Sequence, residues 1–110
     1  MIRNLELSCG LPRETIKKIH KVFKLYPAIE LVRLYGSRAK GNYHHGSDID
    51  LTIMGDSFNF SQLLKVESEL DDLFLPYKID ISVFLQINNN ELIDHINRVG
   101  IDFYRSLLIL

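Results

Sequence analysis

The spacing of apolar and polar positions predicts three amphipathic helices. In residues 12–25, apolar side chains recur every three or four positions with lysines between them, and Pro27 ends the pattern. Another helix is expected after a loop and cap formed by Asn88, Asn89 and Asn90, with Gly100 as its C-cap. The apolar side of that helix consists of Leu92, Ile93 and Ile96.

The middle helix has the clearest start signal. Asn59 is followed three residues later by Gln62, which is the spacing of a capping box, and Pro76 ends the helical pattern. The stripe expected to be buried consists of Phe60, Leu63, Leu64, Leu70, Leu73 and Phe74.

Two segments alternate between apolar and polar residues and therefore predict half-buried strands. In residues 48–54 the apolar side chains share one face and the aspartates the other, and residues 78–84 repeat this pattern around Asp80. A buried strand is expected at residues 29–35, a short apolar run with β-branched side chains. Residues 36–47 contain three glycines without apolar periodicity and predict a loop with a short helical turn.

Together these elements predict one α+β (mixed α/β) domain over residues 1–110, with helices packed on a small mixed β-sheet. Periodicity does not decide whether residues 101–110 form a strand or a short helix. Cys9 is expected in a flexible start, without a catalytic role. The last four residues are apolar, and we expect them to form part of an interface with a second copy or a partner.

Composition and charge limit the classes of function. Hydrophobic residues make up 46% and charged residues 25% of the chain, as in a soluble globular protein. The single cysteine excludes an internal disulfide, and no run of residues resembles a membrane span or a targeting segment. We therefore expect a cytoplasmic protein without membrane binding. The net charge of −1 and the lack of a basic, aromatic-interleaved groove disfavour direct nucleic-acid binding, and the early lysines are interpreted as a solvated helix face.

Three aspartates are the strongest chemical signal. Asp48 and Asp50 are two residues apart on a predicted strand, so their carboxylates point to the same side. Asp80 has the same relation to a later strand, and the three converge if the two strands are neighbours. Such a cluster repels itself without a cation, and Mg²⁺ prefers carboxylate and phosphate oxygens. The pattern predicts a magnesium site that these three residues form.

The strand before this cluster ends in Gly36 and Ser37. Glycine allows a close approach of the backbone, and N–H groups at such a turn suit phosphate oxygens. We expect Gly36 to serve phosphate binding rather than folding, with Ser37 and Arg38 as further nucleotide contacts. An exposed structural role is the alternative for Arg38.

The run GSRAKGNYHHGSDIDL resembles the signature of the minimal nucleotidyltransferases, small members of the DNA polymerase beta-like superfamily, and in particular the MntA-like antitoxins. Gly36 and Ser37 match its Gly-Ser pair, Asp48 and Asp50 its paired acids, and Asp80 its third acid. The resemblance implies Mg²⁺-dependent transfer of AMP from ATP to an acceptor hydroxyl. It assigns catalysis and metal binding to the three aspartates, and it implies a helical HEPN-type toxin as partner, with a tyrosine as the acceptor.

Other classes of function remain open from the sequence. A non-catalytic binding module could neutralise the partner by sequestration, and a metal-dependent nuclease also uses clustered acids. The nuclease does not account for the Gly-Ser pair. The sequence does not determine the acceptor, the base preference, the oligomeric state, or a role for His44 and His45.

Overall fold

A computed structural model describes residues 2–106 of the chain, so the predicted interface at residues 107–110 lies outside the described residues. Four strands form one mixed sheet, with the order β3-β2-β1-β4. Strand β1 pairs antiparallel with both β2 and β4, whereas β2 and β3 are parallel. The elements in chain order are α1 (Ile2–Cys9), α2 (Arg13–Phe23), β1 (Leu31–Tyr35), α3 (Gly36–Lys40), β2 (Ile49–Met54), α4 (Phe60–Asp71), β3 (Ile79–Val83), a 3-10 turn (Phe84–Gln86), α5 (Asn90–Val99) and β4 (Ile101–Arg105).

The predicted fold class is confirmed, as are the principal helices and strands. The capping box at α4 forms as predicted, because the Asn59 side chain accepts from the Gln62 N–H and the Gln62 side chain accepts from the Asn59 N–H. Asn89 caps α5 by accepting from the Leu92 N–H at 3.1 Å. The segment that periodicity left undecided contains β4, which pairs along β1.

Two expectations about the helices are wrong. Residues 2–9 form a helix, and Cys9 at its end is fully buried rather than part of a flexible start. Within the predicted stripe of α4, three residues face solvent: Phe60, Leu64 and Phe74. The helix ends at Asp71, so Phe74 lies beyond the regular spacing on which its burial was predicted.

The core lies between one face of the sheet and the two helices α2 and α4. Alternation along β2 directs Ile49, Leu51 and Ile53 into this core, where each is completely buried. The opposite face of the same strand carries Asp50 and Thr52. The alternating pattern of β2 therefore directs its apolar side chains to the core and leaves the acidic side chains on the opposite face of the sheet. No helix within residues 2–106 is long and apolar enough to cross a membrane.

His20 makes the fold sensitive to acid. Its Nε2 donates to the Phe103 carbonyl at 2.6 Å, and the ring packs edge-on against Phe103 and Tyr104. Burial lowers the pKa of His20 from 6.5, so the folded chain holds the neutral imidazole. The unfolded chain binds the proton more readily, and this contribution to stability is lost as the pH falls below about 6.5.

We therefore expect the melting temperature of wild-type protein to fall relative to that of His20→Gln between pH 7 and pH 5. Glutamine retains a side-chain donor but cannot become charged in this range. Thermal melts at several pH values measure the difference between the two proteins. A constant difference across the range would contradict the assignment to His20.

Candidate active site

Strand pairing brings two of the three predicted acids together. In the parallel register of β2 and β3, Asp50 is the partner of Asp80, and partner residues on neighbouring strands lie on the same face about 4.8 Å apart. Asp48 precedes the first residue of β2 and is exposed. Asp80 is also exposed, while Asp50 is half-buried. The arrangement places a carboxylate pair at the start of two adjacent strands, with the third acid two residues before Asp50.

The acids affect one another electrostatically. The pKa of Asp50 is raised above its ordinary value of 3.8, first by burial and then by the negative charges of Asp80 and Asp48. His95 and Lys78 act in the opposite direction, but they do not cancel the rise. This is the self-repulsion expected of clustered carboxylates.

The donor set suits a hard divalent cation such as Mg²⁺, which binds carboxylate oxygens and relieves repulsion between them. Asp50 and Asp80 fit this requirement through their register and through the raised pKa of Asp50. Within residues 2–106, however, no group of three His, Cys, Asp or Glu side chains stands in metal-binding geometry. The magnesium site with three aspartate ligands therefore remains a hypothesis.

Gly36 lies directly against the carboxylate of Asp50. Its φ of +73° is in the left-handed region, which favours glycine. A Cβ placed at this position would lie 2.3 Å from Asp50 Oδ2. The glycine thus allows β1 to turn into α3 while the Asp50 side chain approaches the backbone. Ser37 follows in the first turn of α3 and is half-buried.

His95 is a site residue that the sequence analysis missed. The Gly36 N–H donates to Nε2 of His95 at 3.1 Å, and the imidazole packs edge-on against the Tyr35 ring. The accepting Nε2 carries no proton, so in the neutral ring the proton resides on Nδ1. The Gly36 N–H, which we expected to be available to phosphate, is occupied by this bond. No local sequence signal points to the contact, because it joins residues 59 positions apart.

A hydrogen-bonded pair of side chains lies beside the two carboxylates. The Ser82 hydroxyl donates to Thr52 Oγ1 at 3.0 Å, and Tyr35 lies near this pair. Burial and the charge of Asp80 raise the pKa of Tyr35, so its hydroxyl stays protonated. The Ser82–Thr52 bond joins side chains on the two strands that carry Asp50 and Asp80.

Arg38 is buried rather than exposed. Its side chain is 1% exposed and donates to the carbonyls of Ser47 at 3.1 Å, Cys9 at 2.8 Å and His45 at 3.3 Å. The guanidinium also lies over the rings of Tyr43 and Tyr77. These contacts give Arg38 a structural role, joining α1 to the loop before β2, and a phosphate contact would require it to leave them.

Residues 17–106 match the profile of the family described as "Polymerase beta, Nucleotidyltransferase". The chain belongs to this nucleotidyltransferase family. The match includes both strands that carry the acids, the Gly36–Ser37 turn and His95. No curated protein matches the chain.

Solved structures show the same fold. A toxin–antitoxin complex with AMP-PNP shares 20% identity at a TM-score of 0.65, covering 84% of this chain and 75% of the other. An MntA–HepT toxin–antitoxin complex shares 16% identity at 0.62, with coverage of 88% and 75%. An MNT antitoxin in complex with a tri-AMPylated HEPN toxin from Shewanella oneidensis shares 16% identity at 0.55, with coverage of 87% and 74%. The predicted resemblance to polymerase beta-like nucleotidyltransferases is confirmed by the profile match, and the likeness to these complexes shows the fold alone.

Proposed function

We propose that this chain, as a single nucleotidyltransferase domain, transfers AMP from ATP to a hydroxyl of a HEPN-type partner toxin and thereby acts as its antitoxin. The observation that carries the proposal is the Asp50–Asp80 register, with Gly36 lying against Asp50. Family membership supports nucleotidyl transfer. An MntA–HepT complex and a complex with a tri-AMPylated HEPN toxin among the neighbouring structures support a HEPN-type partner and AMP as the transferred group.

In the reaction, the acceptor oxygen forms a bond to the α-phosphorus while the bond to the pyrophosphate oxygen breaks. Asp80 is exposed and can receive the proton of the acceptor hydroxyl. Asp48, Asp50 and Asp80 would hold Mg²⁺, which when bound neutralises charge on the phosphates. Ser37 would bind the triphosphate, and Gly36 would contribute close packing against Asp50 while its N–H is bonded to His95.

A folded partner is the acceptor that best suits this chain. The described residues form one small sheet with short helices, and the acidic site presents no basic groove for a nucleic-acid strand. A docked protein positions its own hydroxyl, which in-line attack requires. A tyrosine is the proposed acceptor because AMP has been attached to a HEPN toxin in a neighbouring complex and the resemblance implies a tyrosine.

We expect the protein to add one or more AMP units to its gene-neighbour HEPN-type partner when incubated with ATP and Mg²⁺. Intact mass spectrometry measures the addition, and peptide mapping locates the modified side chain. EDTA and Asp80→Asn should each remove the added mass without preventing complex formation. Tight binding without any added mass under all four nucleoside triphosphates would refute transfer and support neutralisation by sequestration.

A further inference from the structure

A lysine-rimmed apolar groove lies between α2 and the end of α4, away from the residues of the candidate active site. It has a volume of about 510 Å³, and we call it the α2–α4 groove. Its lining consists of Lys18, Lys21, Val22, Leu25, Asp72 and Leu73. Leu25, two residues beyond the end of α2, is 63% exposed. The groove therefore offers unburied apolar surface between two helices.

Phe74, the next residue in the chain, is unfavourable for the isolated protein in two ways. It follows the groove residue Leu73 and is 88% exposed. Its φ of +51° is also left-handed, a conformation that helix ends normally assign to glycine or asparagine. An exposed aromatic residue held in a strained backbone conformation does nothing for the stability of this domain. Such a residue is typical of an anchor that a partner covers.

The charges around the groove indicate what that partner carries. Lys18 and Lys21 also line an adjoining groove of about 500 Å³ along α2, together with Lys17 and Lys24. Within residues 2–106, only Lys17 of these four forms an ion pair, with Glu14 at 3.9 Å. The four lysines outnumber the two acids that line these grooves, Glu14 and Asp72, and beside apolar anchors they complement a surface that is both apolar and acidic.

The same row of lysines argues against a second copy of this chain. In a symmetric dimer whose two-fold axis passes through this row, each lysine row would face the other, and like charges at an interface oppose association. A nucleic-acid strand is also a poorer match, because most of the apolar surface of the groove comes from Val22, Leu25 and Leu73, which a phosphate backbone does not cover.

We infer that the α2–α4 groove and Phe74 form a docking surface for an acidic amphipathic helix of a partner protein. The apolar side of that helix covers Leu25, Leu73 and Phe74, while its carboxylates lie along the lysines of α2. The inference deepens the proposed function by naming the surface that holds the partner. Its test measures binding alone, without ATP, so that its failure is distinguishable from failure of AMP transfer.

The probe is a designed helical peptide of about 18 residues, with leucines every three or four positions and glutamates elsewhere. In a titration followed by NMR, we expect shifts of the backbone amides of Lys21, Leu25, Leu73 and Phe74, with affinity falling as salt is raised. A peptide with lysines in place of the glutamates should bind at least about tenfold more weakly. Equal binding of both peptides, or no shifts at these residues, would overturn the inference.

Two variants sharpen the test. Phe74→Asn should weaken binding by about tenfold while leaving the melting temperature unchanged or higher, because asparagine accepts a positive φ. Phe60→Asn is the matched control, since Phe60 is an exposed phenylalanine at the other end of α4. Its peptide affinity should match that of the wild type. Equal losses in both variants would contradict a localised docking surface.

Reversing the charge of two groove lysines distinguishes an acidic partner from a second copy of the chain or a nucleic-acid strand. Lys18→Glu combined with Lys21→Glu should reverse the preference, so that the lysine peptide binds more tightly than the glutamate peptide. Sedimentation of the chain alone tests whether a second copy occupies the groove. A dimer that Phe74→Asn abolishes would assign the groove to a second copy and overturn the inference, as would tighter binding of a single-stranded oligonucleotide than of the acidic peptide.

Discussion

Replacing Asp50 with asparagine is expected to lower AMP transfer by about three orders of magnitude, because several kcal/mol of charge stabilisation at the phosphates depend on this carboxylate. Of the three acids, Asp50 has the most close neighbours: it is the register partner of Asp80, and its carboxylate lies against Gly36. Initial rates of AMP incorporation into the partner measure the effect. Asp56→Asn is a matched control, because Asp56 is an exposed aspartate in the turn at the far end of β2. A rate within tenfold of wild type for Asp50→Asn would contradict the site.

The same substitution is expected to stabilise the metal-free protein at neutral pH. Because the pKa of Asp50 is raised in the folded chain, the folded state binds this proton more tightly than the unfolded state. Stability therefore falls as the pH rises from 3.8 through the raised pKa. An asparagine in place of Asp50 avoids this penalty, so melts in EDTA should show a melting temperature a few degrees higher than wild type at pH 7. The difference should shrink toward pH 4, and an unstable variant at pH 7 would assign Asp50 a structural role.

The sequence allowed the acidic face to be predicted because strand alternation is a local property. Ile49 and Leu51 had to face the core, and that choice placed Asp50 on the open face. Asp50 and Asp80 lie close together only if β2 and β3 are adjacent strands, which the sequence alone does not establish. The parallel register meets that condition and makes the two aspartates partners.

Tertiary contacts explain what could not be predicted. His95 reaches Gly36 only because α5 packs near β1, and nothing in the residues around position 95 encodes that approach. Arg38 looked like a phosphate ligand because it follows the Gly-Ser pair, but its three carbonyl partners come from α1 and from the loop before β2. Local patterns indicate which face a side chain occupies. They do not indicate which distant backbone groups will fill its hydrogen-bonding capacity.

The exposed residues of the predicted α4 stripe illustrate the same limit of local sequence patterns. Helical spacing placed Phe60, Leu64 and Phe74 on the apolar side, yet the sheet has room for only part of that side. The core is completed by Leu63, Val66 and Leu70. A periodic pattern gives the direction of an apolar stripe, whereas its buried width depends on the size of the surface it covers.

Gly36→Ala is expected to impair both folding and transfer, which revises the expectation that this glycine serves phosphate binding alone. At a φ of +73°, an alanine side chain strains the backbone by about 1–2 kcal/mol. For a domain of this size, such a loss lowers the melting temperature by roughly 5–10 °C. The added Cβ would also meet Asp50 Oδ2 at 2.3 Å and force that carboxylate to move. A displacement of this kind in an active site reduces the rate by about a hundredfold.

Gly41→Ala separates these two effects. Gly41 also has a left-handed backbone, with a φ of +86°, but a Cβ there meets no atom within 4 Å. Alanine at position 41 should therefore lower the melting temperature by a similar amount without displacing an acidic side chain. If contact with Asp50 is the reason for glycine at position 36, AMP transfer measured well below both melting temperatures should be lost only in Gly36→Ala. Equal loss in both variants would mean that backbone strain, acting through the whole segment of α3, accounts for the effect.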